Sequence, residues 1–133
     1  MTRSVTGTAS LHRQHARRWS RAPHYLGLTA LAHRKQIRPN ILARWRHEGP
    51  IWVPGEDVQL GSDPGWSVER ADAWTSESAP TEPPTPIVYW PEAEMMRRCH
   101  ISLDTLWTLV MVDRLLPMPA IWLDGRPGWE CDQ

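Results

Sequence analysis

The stretch IRPNILARWRHEG, Ile37 to Gly49, decides how the rest of the chain is read. Ile37, Ile41, Leu42 and Trp45 recur at helical spacing and make one apolar stripe, while Arg38, Asn40, Arg44 and His47 fall away from it. Pro39 suits the first turn of a helix, where its missing N–H costs nothing, and Gly49 followed by Pro50 is a stop signal. A helix of about ten residues is unstable alone in water, so the apolar stripe requires a neighbour.

Working back from Ile37, the segment YLGLTALAHRKQ, residues 25–36, places Leu28, Leu31 and Ala32 on one helical face and ends one residue before the next stripe begins. Two short helices joined by a turn of about three or four residues form a helix-turn-helix, whose second helix can enter a major groove. Working forward, Ile51 to Val53 and Val58 to Leu60 read as two short strands around a Gly- and Pro-rich turn, and Trp66 either begins a third strand or closes the loop. SVERADAW then supplies a short helix with Val68, Ala71 and Trp74 inward.

The formal net charge of zero hides a division. Residues 1–49 hold ten Lys or Arg against one acid, Glu48, a net +9; residues 50–133 hold five Arg against fourteen acids, a net −9. The first part suits a polyanion and the second does not. Cys99 and Cys131 form no CxxC pair, and no secretory h-region opens the chain, so reduced thiols in a cytoplasmic compartment are expected. No apolar run approaches the roughly 20 residues of a membrane span. His12 with His15 and Cys99 with His100 lack a second pair at zinc-finger spacing, there is no Gly-rich phosphate loop, and no nucleophile elbow occurs. Neither cofactor, metal nor catalysis is expected.

Four segments follow. Residues 1–22, with five Arg and two His, read as a basic flexible arm with a turn or two of helix around Leu11 to Trp19, and residues 23–74 as a winged helix-turn-helix. Residues 75–86, TSESAPTEPPTP, read as a semi-rigid Pro-rich linker. Residues 87–133 are a second copy: an offset of 64 sets Leu31 on Met95, Ile37 on Ile101 and Leu42 on Leu106, and after a one-residue deletion Pro64-Gly65-Trp66 falls on Pro127-Gly128-Trp129. The fold class expected is mainly α with small β-hairpin wings, as two tandem winged helix-turn-helix units.

Leu31-Ala32, Ile37, Ile41-Leu42, Trp45, Gly49, Pro54, Trp66 and the Ala-Asp72-Ala-Trp74 close together resemble the winged helix-turn-helix of excisionase and MerR-type regulators, including the AlpA-like proteins of phages and mobile elements. Gln36 stands where that pattern commonly has Gly, and Arg38 where it has a capping Ser or Thr. The resemblance implies a phage or mobile-element transcriptional regulator or an excisionase-like recombination directionality factor, associated with the nucleoid of a bacterial host cell.

On this reading double-stranded DNA meets Arg38, Asn40, Arg44, Arg46 and His47 of the second helix, Arg34 and Lys35 beside it, and Arg17, Arg18 and Arg21 of the arm. The corresponding helix of the second copy, SLDTLWTLVMVDRLL, carries acids at Asp104 and Asp113 and is apolar on nearly every side. Leu103, Trp107, Val110 and Met111 are therefore expected to form a protein interface, for a homodimer first, for docking onto the first domain, or for another DNA-bound protein; the alternative is that they close a small core that lacks a last helix. The competing expectation is a protein-interaction module that binds another regulator through this apolar unit.

Overall fold

The computed structural model describes residues 3–75 and 77–131; Met1 and Thr2 of the expected arm, Ser76 of the expected linker, and Asp132 and Gln133 lie outside them. In chain order the elements are α1 (Arg3–Trp19), β1 (His24–Tyr25), α2 (Leu28–Arg34), α3 (Pro39–Glu48), β2 (Val58–Leu60), β3 (Asp63–Gly65), α4 (Val68–Ala73), β4 (Ile87–Trp90), α5 (Glu92–Cys99), α6 (Leu103–Met111), β5 (Ile121–Leu123) and β6 (Arg126–Glu130).

The expectation of a mainly α protein with small wings is corrected by the sheet. Its six strands run in the order β1-β5-β6-β4-β2-β3. Just past the ends of β3 and β1, Leu26 and Trp66 exchange two backbone hydrogen bonds of 2.8 Å, which nearly closes the sheet into a small barrel. The fold is mixed α/β, and the hairpins are its centre rather than appendages. β2 pairs with β3 and β5 with β6 as local antiparallel hairpins. Within the second copy β4 also pairs antiparallel with β6. Two pairings cross between the copies: β1 runs parallel to β5, and β4 runs parallel to β2.

These crossed pairings are related by the sequence repeat. The offset of 64 through the helices, and 63 after them, turns the pair His24–Trp122 into Val88–Gln59, so the two copies embrace through an internal two-fold. Inside the barrel the same relation pairs Val58 with Ile121, Leu60 with Leu123 and Tyr25 with Tyr89, and together these residues form one apolar cluster. Burial there pushes both tyrosine hydroxyls above their ordinary pKa. Glycine is required at two matched points. A Cβ on Gly65 would stand 2.5 Å from Cδ1 of Leu123, and one on Gly128 would stand 2.8 Å from Cδ1 of Leu60.

Each helical pair has its own core outside the barrel. In the first, Leu31, Ala32, Leu42, Trp66, Ala71 and Trp74 are buried together, and in the second Met95, Leu106, Trp107, Val110, Trp122 and Trp129. The turns match too: Gln36 and His100 both have positive φ, at 59° and 55°, and the following amides of Ile37 and Ile101 reach back to Ala32 and Met96. Gln36 thus takes the left-handed conformation without glycine, a cost that the flanking helices sustain. Ser102 caps α6 by accepting from the Thr105 amide at 3.1 Å, whereas Arg38 gives α3 no side-chain cap.

Three local expectations change. Ile51 to Val53 is not a strand; the hairpin is shorter, Val58 to Gly65. Pro50 and Pro54 cannot donate to a ladder, and Trp52 and Val53 pack on the first core instead. The basic arm is largely the 17-residue helix α1, whose Ala9 and Ala16, two turns apart, are buried in the second core. In the Pro-rich segment, Pro83 lies so close over Gly55 that a Cβ there would come within 2.7 Å of it.

Candidate nucleic-acid interface

The core of the first unit sets the orientation of α3. Leu42 is fully buried, and Ile37 and Trp45 pack beside it. The opposite stripe, Asn40, Arg44 and His47 at i, i+4 and i+7, is therefore exposed, and Arg38 is exposed at the N-cap. Among the described residues no acid pairs with Arg38 or Arg44. An amide, two guanidinium groups and an imidazole on one open helical stripe can address base edges and phosphates.

The remaining expected contacts divide. Arg46 donates to both oxygens of Glu56 at 3.2 Å and lies 5.4 Å over the Trp66 ring, so it braces the hairpin from the inner side of α3. Burial alone would raise the Glu56 pKa, but hydrogen bonds from Gln59 and its own backbone, together with Arg46, outweigh that and hold it below its ordinary value. Arg34 is bound bidentately to Asp72 of α4 at 2.8 and 3.0 Å. Lys35 sits 5.9 Å over Trp74 and makes no close ion pair among the described residues, although, after the Arg34 hydrogen bond, its charge helps to lower the pKa of Asp72. Arg17, Arg18 and Arg21 are exposed around the end of α1; Arg18 lies 5.7 Å over Trp19, and the Arg17 guanidinium covers Gly125 in the β5–β6 turn.

The charge division seen in the sequence thus survives folding in part. Arg13, Arg34 and Arg46 of the first 49 residues are neutralised by acids, whereas Arg17, Arg18, Arg21, Lys35, Arg38 and Arg44 make no ion pair among the described residues.

The apolar residues of α6 occupy a different setting. Trp107 and Val110 are buried, and Leu103 and Met111 pack against the same cluster, which includes Ala9 and Ala16 of α1. The chain's own first helix therefore covers the face expected to receive another protein. Glu92 joins the layers: it accepts two hydrogen bonds from Arg13, at 2.9 and 3.1 Å, and one from the Trp107 indole at 2.6 Å. Nothing local marks Glu92 or Arg13 in the sequence, because their meeting depends on the packing of α1.

Trp52, within the segment expected as a strand, has another setting. It is half-buried and stands between two clefts beside α3, of about 440 and 420 Å³, which both also touch Trp45 and Ile51. Trp122 is fully buried and stacks on His24 at 6.3 Å.

Among the described residues no group of three or more His, Cys, Asp or Glu side chains is placed to hold a metal ion. Cys99 and Cys131 form no disulfide. Among the same residues no helix is long and apolar enough to cross a membrane. Compared with known proteins, the chain matches no family model, no curated protein and no solved structure.

Proposed function

We propose that the chain is a sequence-specific double-stranded DNA-binding protein that lays α3 in the major groove, in the role of a phage or mobile-element regulator or an excisionase-like directionality factor. The observation that carries this reading is the open stripe of α3: Arg38, Asn40, Arg44 and His47 are exposed, and the two arginines have no acidic partner among the described residues. Arg44 and Asn40 are the residue types that read guanine and adenine edges. Arg17, Arg18, Arg21 and Lys35 supply further cations for phosphates, whereas Arg34 and Arg46 serve the fold through Asp72 and Glu56.

The test is a binding titration of the full chain with a duplex selected from a random pool and with an unrelated duplex. Arg38→Ala and Arg44→Ala are each expected to lower affinity for the selected duplex by about tenfold or more and to erase the preference for it. If six cationic contacts to phosphates are made, affinity falls roughly a thousandfold between about 50 and 200 mM salt. Equal affinity for both duplexes, unchanged in the two variants, would refute the proposal.

A further inference from the structure

The internal two-fold allows the outward faces of α3 and α6 to be compared position by position. Asn40, Ala43, Arg44 and His47 of α3 correspond to Asp104, Trp107, Thr108 and Met111 of α6. On α3, Asn40, Arg44 and His47 are exposed; on α6, Trp107 is fully buried and the other three are half-buried. The element lying there is α1. Ala9 and Ala16 share a buried cluster with Trp107 and Val110, and Leu11, His12 and His15 share a cavity with Met111. One carboxylate oxygen of Asp104 is sealed from solvent without a hydrogen-bond partner in the structure. The residue types agree with the burial at three of these positions: α6 places Trp107 and Met111 against α1 where α3 has Ala43 and His47, and the uncharged Thr108 where α3 has Arg44.

We propose, resting on the DNA-binding reading above, that α1 occupies on the second unit the place that a duplex takes on the first. One chain then engages one half-site, although its architecture is that of a symmetric pair. Two-fold proteins of this motif class address two half-sites about 34 Å apart, each with its own recognition helix. Here the second helix is withdrawn beneath α1 and carries an acid, Asp104, where α3 carries Asn40. Bringing that carboxylate to a phosphate-lined groove is electrostatically unfavourable.

Selection of a binding sequence from a random duplex pool, followed by native mass spectrometry of the full chain on the selected duplex, tests this directly. The expected result is one half-site per bound chain, whether the duplex carries one chain or several. Two half-sites held by a single chain would overturn it. A pair of variants gives an independent reading, since Arg114 is an exposed cation just beyond α6 with no acidic partner among the described residues. Arg114→Gln is expected to change affinity by less than about twofold and Arg44→Gln to lower it about tenfold or more. Equal losses in the two would place α6 on the DNA and overturn the proposal. If the unmodified chain binds no duplex even at about 50 mM salt, the DNA reading itself fails, and that outcome is distinct from binding with the wrong stoichiometry.

Discussion

Trp66 and Trp129 show how single residues fix the two halves. Each is buried, and each donates its indole N–H at 2.8 Å to a proline carbonyl twelve residues earlier, Pro54 or Pro117. The bond ties the irregular segment after the second helix of each unit to the end of its hairpin. Trp66→Phe keeps an aromatic side chain but removes part of the buried bicycle and leaves the Pro54 carbonyl without its donor, and is expected to cost at least about 1–3 kcal/mol in a urea titration. A loss within about 0.5 kcal/mol would mean that the carbonyl finds another donor. Glu56 makes a pH-dependent contribution of known sign. Its folded pKa lies below its unfolded one, so its contribution is complete above the ordinary carboxylate range and disappears as pH falls through the lower, folded value. Urea midpoints measured down through that acidic range are expected to fall less steeply in Glu56→Gln than in the unmodified chain.

At the scale of elements, the packing of α1 on α6 depends on small residues and one carboxylate. Ala9 and Ala16 permit close approach, and Glu92 satisfies both Arg13 and the buried Trp107 indole. Glu92→Ala leaves that indole N–H sealed from water without a partner, at a cost of about 1–3 kcal/mol. Arg13→Ala removes a guanidinium that solvent can still reach, and is expected to cost less than about 1 kcal/mol. Thermal or urea unfolding of the two variants gives the order, and a larger loss in the arginine variant would contradict it. The same contact explains why the sequence of α1 resembles that of a flexible arm. Its buried face is made of alanines among arginines and histidines, so it lacks the large apolar residues by which a packed helix is recognised.

At the scale of the whole molecule, the exchange of β1 and β4 between the units makes each hairpin depend on a strand from the other. Unfolding is therefore expected in a single transition, with tryptophan fluorescence and far-ultraviolet dichroism coincident across a urea titration. Two separated transitions would show that the units hold together without their exchanged strands. The sequence repeat revealed the parts of this design: the helical pairs, the tryptophan that ends each hairpin and the divergence of α6 from α3. It did not reveal the barrel. His24-Tyr25 is too short to show alternation, Ile87 to Trp90 follows directly on a Pro-rich run, and both strands take their partners from remote positions. The candidate site was legible where it depended on α3 alone, in Arg38, Asn40, Arg44 and His47. It was illegible where a tertiary partner decided the outcome, as Asp72 does for Arg34 and Glu56 for Arg46.

The two short hydrogen bonds between Leu26 and Trp66 have a consequence beyond the shape of the barrel. An unpaired strand margin is a template on which another molecule can add its own strand, the usual first step toward intermolecular aggregates. Here β3 and β1 are joined where such a margin would lie, so the ring presents little backbone to a passing chain. Opening at that seam, before any larger unfolding, is the event that would expose one.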